Sequence, residues 1–267
     1  MIEIKKIIKQ TSYGATKPII ILANDNKKYI LKFRTSSEYE EEKDLHIFNE
    51  FLAYKLINCY NFSISPQKLK IINIDEMTIF LAEHSYKNKD ISIDSLNFLK
   101  KSLGPNICVE YLENTEKALS HEINSKSFKN QLKHIDNIII NNDRDTTNTN
   151  ILKDLTCQEK YYAIDYGLAI LDNRIYEAIV NNKINKYIMH IQTCNATNSS
   201  FYILKKFPIE FKKLDIQNIK DKILEIIDSC PKEWEILKHK ETVAEVITAR
   251  INTKLIFENT KCPMELF

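Results

Sequence analysis

Glycine is nearly missing from this chain: three occur in 267 residues. A G-x-G-x-x-G phosphate loop is therefore excluded, and each glycine needs its own reason. Paired cysteines are also lacking. Six stand singly, at Cys59, Cys108, Cys157, Cys194, Cys230 and Cys262. None is close enough to another for a zinc ribbon or a C-x-x-C redox pair, so all six are expected as reduced, small hydrophobes. A charge of one sign is absent, since 38 basic and 36 acidic residues leave +2. That balance argues against a dedicated nucleic-acid binder, and no direct nucleic-acid binding is expected. No apolar run approaches the ~20 residues that span a bilayer. The opening MIEIKKIIKQ has no long apolar region and no small-residue cleavage site. A signal peptide and a membrane anchor are not expected, and the location implied is cytoplasmic. Internal repeats and heptad runs are missing as well.

What is present is ordinary for a globular protein: 43% hydrophobic and 28% charged residues. The length fits one bilobal domain or two small ones. Ile2 to Ile8, Ile19 to Ala23 and Lys28 to Phe33 read as strands. The loop Tyr13-Gly14-Ala15-Thr16-Lys17-Pro18 and the turn Asn24-Asp25-Asn26 separate them. Leu45, Phe48, Leu52 and Leu56 fall on one helical face. Lys68 to Ile74 and Met77 to Glu83 read as a second strand pair joined at Asp75-Glu76. Beyond residue 90 the pattern turns helical, over Ile93 to Leu103, Cys108 to His121 and Lys126 to Asn141. Tyr161 to Ile164 is a short strand, and helices are expected at 176–192, 216–229 and 240–256. The expected organisation is a sheet-rich part, residues 1–86, and a larger helical part, residues 87–267, with a ligand cleft between them.

The chemistry centres on Asn141-Asn142-Asp143-Arg144-Asp145-Thr146-Thr147-Asn148. A polar run after an amphipathic helix is usually a solvated loop, and an Asn-rich chain makes such runs easily. The order of residue types is more specific. Asp143 and Asn148 are five apart, the spacing of the acid and the amide metal ligand in kinase catalytic loops. Asp165, in Ile164-Asp165-Tyr166-Gly167, then supplies an acid at a strand end before a glycine. Phosphoryl transfer needs this set: an acid at the attacking hydroxyl, with a carboxylate and an amide holding magnesium on the nucleotide phosphates. The first part holds a matching half-site. Gly14, Ala15 and Thr16 lie in a loop able to turn backbone N–H groups toward phosphate. Lys32 sits in the apolar strand Tyr29-Ile30-Leu31-Lys32-Phe33, and Glu50 follows on a helix able to orient it.

These residues resemble the HipA-like kinases. Ile135-Asp136-Asn137-Ile138-Ile139-Ile140-Asn141-Asn142-Asp143-Arg144 is similar to their "D-x-x-x-x-N-x-D-R" segment. Asn148-Thr149-Asn150-Ile151-Leu152 resembles "N-x-N-hydrophobic", and Ile164-Asp165-Tyr166-Gly167-Leu168-Ala169 resembles "I-D-H-G-x-A", with Tyr166 in place of His. Tyr29 to Phe33 is similar to "Y-hydrophobic-x-K-F", Asn49-Glu50 to "N-E", and Pro231-Lys232-Glu233-Trp234 to "P-x-x-W". The likeness is to the short subtype without an extra N-terminal domain.

The resemblance implies an α+β, bilobal protein-kinase-like fold: a small antiparallel-sheet N-lobe with one helix, and a larger, mainly helical C-lobe. It implies ATP and Mg2+ as cofactors. Asp143 would orient or deprotonate the acceptor hydroxyl, and Asn148 and Asp165 would hold magnesium. Lys32, set by Glu50, would bind phosphates under the Gly14 loop, and adenine would lie near Leu81 to Glu83. Arg144 would pair with a carboxylate or a phosphate. The acceptor would be a protein Ser/Thr hydroxyl, as in toxin-like kinases acting on a translation component, with an antitoxin or regulatory protein as partner. Thr11, Ser12 and Thr16 are candidate self-phosphorylation sites. Two other readings stay open: a small-molecule or lipid phosphotransferase on the same fold, and a nucleotide-binding pseudokinase or interaction module.

Overall fold

Alternating and β-branched residues at the start of the chain build a meander. The computed structural model describes residues 2–11, 17–35, 44–59, 64, 68–139, 141, 143–144, 149–171, 173–181 and 219–248. Strands β1 (Ile4–Gln10), β2 (Ile19–Ala23) and β3 (Lys28–Lys32) pair antiparallel in sequence order. The turn between β2 and β3 places Asn26 at φ +63, a left-handed conformation that Asn tolerates better than most residues. Two further strands, β4 (Leu69–Ile74) and β5 (Gly104–Glu110), complete a sheet of order β1-β2-β3-β5-β4. Leu31 sits opposite Cys108, and Ile71 opposite Ile107. A parallel bridge between Ile2 and Ile72 draws the two sheet edges together.

Both faces of this sheet are covered. Helix α1 (Leu45–Cys59) buries eleven of its fifteen residues, which marks it as an internal helix rather than a surface one. Its Phe48 and Leu52 share a core with Ile107 and Val109. Helices α2 (Glu76–Lys87) and α3 (Ile93–Lys101) close the opposite face, where Ala82, Leu96 and Leu99 meet Leu31, Phe33, Ile72 and Cys108. Adjacent residues Ile107 and Cys108 thus enter different cores, as the strand's two-residue period requires.

The rest of the described chain is helical around a second small sheet. Strands β6 (Thr115–Lys117), β7 (Ile151–Asp154) and β8 (Tyr161–Ala163) pair antiparallel in that order. Helices α4 (Lys126–Ile139), α5 (Asn173–Val180), α6 (Ile219–Asp228) and α7 (residues 240–248) surround them. Their apolar faces merge with that of α1, so α1 is the shared wall of the two lobes.

Two sequence expectations are corrected. Met77 to Glu83 is not a strand but most of α2. Asp75 caps this helix by accepting from the Thr78 amide at 2.8 Å, so the acid read as a turn residue is a helix start. Cys108 to His121 is not a helix: it holds the end of β5, then β6 and a short 3-10 turn at Ser120–Glu122. Every internal residue of β5 is buried, so the strand shows no polar alternation by which to recognise it. The last strand of the five-stranded sheet thus ends at Glu110. The helices expected late in the chain are present at α5, α6 and α7 where they fall on described residues.

Candidate active site

Three elements bring polar side chains together: strand β3 contributes Lys32, α1 contributes Asn49 and Glu50, and Asp165 follows β8. The loop after α4, with Asp143 and Arg144, is tied to the Asp165 segment through Arg144. Lys32 Nζ donates to Glu50 Oε1 at 2.8 Å and to Asp165 Oδ1 at 2.9 Å. The other Glu50 oxygen accepts the Tyr166 amide at 2.6 Å. Glu50 is buried, whereas the Asp165 side chain is 46% exposed, so the cluster has one anchored and one open carboxylate.

The charges follow from this geometry. Burial works against the Lys32 cation, but the Asp165 and Glu50 carboxylates outweigh it and hold its pKa above the ordinary lysine value. The Lys32 cation beside Asp165 lowers that carboxyl's pKa and keeps it ionised. Burial raises the Glu50 pKa despite Lys32.

Asp165 occupies the left-handed region, at φ +62. Such a conformation costs a non-glycine residue energy and persists only where neighbours hold it. The neighbours here come from α1. Asn49 Nδ2 donates to the carbonyls of Gly167 (3.0 Å) and Leu171 (2.8 Å), while its Oδ1 accepts the Leu171 amide at 3.3 Å. With Glu50 on Tyr166, two adjacent helix residues fix the backbone from 166 to 171. Gly167 is seated against His46, 3.7 Å from where a Cβ would lie.

The acid loop is held from beneath. Asn150 Nδ2 donates to Asp143 Oδ2 at 2.9 Å, and the Asp143 amide donates to Asn141 Oδ1 at 3.2 Å. Arg144 points inward and is buried. Its Nε donates to both Asp136 oxygens, at 3.2 and 3.0 Å, and its Nη1 to the carbonyls of Thr149, Asn150 and Ile164. The guanidinium also lies 4.9 Å from the centre of the Tyr166 ring. Of the two partners expected for Arg144, the structure shows the carboxylate.

Burial pushes Asp136 from 3.8 up to about 6, against the pull of Arg144. A carboxyl raised in the folded state adds stability fully present below pH 3.8 and lost as pH rises through about 6. Urea midpoints should therefore fall across that window, and Asp136→Asn should flatten the slope. An unaltered slope in the variant would assign it to another group.

The structure thus unites Lys32, Glu50 and Asp165, and sets Asp143 on a loop tied to the same elements. Glu83 is not among them: it lies on α2 and pairs with Lys100 at 2.6 Å. Because β5, not residues 77–83, is the strand beside β3, the connector leaving the sheet is Glu110-Tyr111-Leu112. Gly14, Ala15, Thr16 and Asn148, with Ser12, lie outside the described residues. Sequence reasoning gave no role to Asn49 or Asp136. The signal for Asp136 was a carboxylate on the inward face of α4, five residues before Asn141.

A protein-family model described as HipA-like kinase matches residues 4–261. The chain superposes on the crystal structure of the Helicobacter pylori proinflammatory kinase CtkA with a TM-score of 0.53. That match has 15% identity and covers 94% of this chain and 96% of that one. The Golgi casein kinase is matched at a TM-score of 0.48 and 11% identity, over 100% of this chain and 75% of the other. No curated protein matches by sequence. At 15% identity the CtkA match speaks for the fold alone.

Proposed function

On the premise that the chain belongs to the HipA-like kinase family, and so is a kinase-type phosphotransferase, we propose that it is a magnesium-dependent kinase transferring the γ-phosphoryl group of ATP to a Ser or Thr hydroxyl of a protein. The observation that carries this reading is the convergence of the Lys32 cation on a buried Glu50 and an open, ionised Asp165.

The residues fit the nucleotide and its metal. Asp165 offers a half-exposed carboxylate of the kind that hard cations take, and Lys32 places a fixed cation beside it for phosphate. Magnesium ATP, when bound, would supply the γ-phosphoryl group with ADP as the leaving group, its magnesium neutralising charge on the phosphates. Lys32, held by Glu50, binds the nucleotide phosphates. Asp165, with Asn148, would hold the metal. Asp143, whose carboxylate Asn150 steadies at 2.9 Å, orients the acceptor hydroxyl and takes its proton. The loop of Gly14, Ala15 and Thr16 would cover the phosphates, and the connector Glu110 to Leu112 would flank the adenine in place of Glu83. A toxin-like role with an antitoxin partner belongs to the same proposal.

The test uses γ-labelled ATP with magnesium, the purified chain and a cell lysate as acceptor. Label is expected on protein, recovered as phosphoserine or phosphothreonine after acid hydrolysis, and lost on chelation of magnesium and in Asp165→Ala. Label appearing only on lipid or on small molecules would replace the protein acceptor with one of those. Equal transfer by wild type and Asp165→Ala would remove the metal assignment.

A further inference from the structure

The turn at residues 230–235 is far in sequence from the catalytic loop, yet it is built into the start of α1. Arg34 and Asp44 form a buried ion pair, with Arg34 Nε donating to Asp44 Oδ1 and Nη2 to Asp44 Oδ2 at 3.1 Å. Both groups also grip the turn: Arg34 Nη2 donates to the Glu233 carbonyl at 2.6 Å, and Asp44 Oδ2 accepts the Glu235 amide at 2.7 Å. Between these two contacts stands Trp234, 1% exposed, the chain's single tryptophan. Its Nε1 donates to the Pro105 carbonyl of β5 at 3.0 Å, and its ring meets Phe51 of α1 edge-on at 5.7 Å. The sheet accommodates the guanidinium through Gly104, whose φ of +98 suits glycine and whose missing Cβ would stand 3.6 Å from Arg34 Nη1. Asp44 itself sits at φ +79, an unfavourable conformation for Asp that these bonds hold in place.

The arrangement has a mechanical consequence. Lys32 and Arg34 lie two residues apart on one side of the chain leaving β3, about 7 Å at the rise of a strand. Their partners are Glu50, in the second turn of α1, and Asp44, the residue immediately before the helix. The two ion pairs are therefore successive rungs, one from β3 to α1 and one from the segment just after β3 to the residue just before α1. One rung at the nucleotide site would leave the helix able to pivot about it. The second rung, buried and bolted to the 230–235 turn, removes that freedom.

We propose that this turn is a brace for the active site: Arg34, Asp44 and Trp234 are positioning residues that hold α1 so that Glu50 keeps Lys32 aligned. The proposal rests on the reading of Lys32 as the phosphate-binding cation. Through Asn49 and Glu50, the same brace also steadies the backbone that carries Asp165.

Two readouts separate a positioning role from ordinary packing. Trp234→Phe keeps an aromatic ring for Phe51 while removing the Nε1 hydrogen bond and part of the indole, and Arg34→Lys keeps the charge and removes the fork, so both should fold. Each should lower kcat for transfer from magnesium ATP on the order of ten- to a hundred-fold, as small misplacements at a reacting site do. In a Glu50→Gln background the same substitutions should cost little more, because the effect runs through Glu50. The second readout needs no nucleotide. Coupling is reciprocal, so Glu50→Gln and Lys32→Met should red-shift Trp234 emission and expose it to acrylamide. Trp234 fluorescence and quenching identical in wild type and both variants would overturn the brace. So would full additivity with Glu50→Gln. A wild-type chain that fails to bind magnesium ATP would sink the nucleotide reading, while the fluorescence result would still decide the brace.

Discussion

Asp143→Asn should lower phosphoryl transfer by about 10²- to 10⁴-fold, the contribution of a positioned acid–base group. Asn has nearly the shape of Asp but cannot take a proton and carries no charge. The loop should survive the change, because an Asn side-chain oxygen can still accept from Asn150 Nδ2, as Asp143 Oδ2 does at 2.9 Å. Asp143 is separate from the Lys32, Glu50 and Asp165 cluster that would hold the nucleotide, so magnesium ATP affinity should change little. A loss in kcat without a loss in binding is the mark of an interaction made in the transition state. Single-turnover transfer of label, set beside calorimetric binding, reads the two separately. A variant that transfers as fast as wild type would take the general-base role from Asp143.

The second large effect concerns stability. Arg144→Leu should destabilise the fold by about 3–5 kcal/mol, the cost of breaking one side of a buried ion pair. For a chain of this size that is a fall in Tm on the order of 10 °C. The reason is what stays behind. Asp136, 6% exposed, would keep a carboxylate whose hydrogen bonds from Arg144 are gone, and the carbonyls of Thr149, Asn150 and Ile164 would each lose a donor. Arg144→Lys should not restore stability, since an ammonium cannot reproduce a planar fork that spans a carboxylate and three carbonyls. Asp136→Asn combined with Arg144→Leu should recover part of the loss, because no uncompensated charge then remains. Urea denaturation of the four proteins measures this. A double variant less stable than Arg144→Leu alone would show that the buried carboxylate is not the source of the penalty.

Much of the site was legible because it is carried by short-range spacing. Asp143, Arg144 and Asp165 occur in strings whose residue types and intervals narrow the chemistry before any contact is known. Lys32 and Glu50 were legible for another reason: each sits in an element whose hydrophobic pattern is plain, a strand alternating about Tyr29 and Leu31 and a helix with Leu45, Phe48 and Leu52 on one face. Where pattern failed, burial was the cause. Strand β5 is buried on both faces and looks the same as a buried helix by composition. Residues 77–83 hold β-branched and aromatic side chains, and the cap at Asp75 outweighs their strand preference.

The sequence by itself determined the meander, the long internal helix, the acid loop and the order in which the polar residues arrive, because local periodicity and turn chemistry act over a few residues. Which of those residues meet was set by the packing of distant segments. Lys32 reaches Asp165 across 133 positions, and Arg34 reaches the Glu233 carbonyl across 199. Tertiary structure also turned Arg144 inward to Asp136 and fixed β5, not residues 77–83, as the strand next to Lys32. Contacts at such separations follow from how buried surfaces close on one another, and no interval in the sequence encodes them.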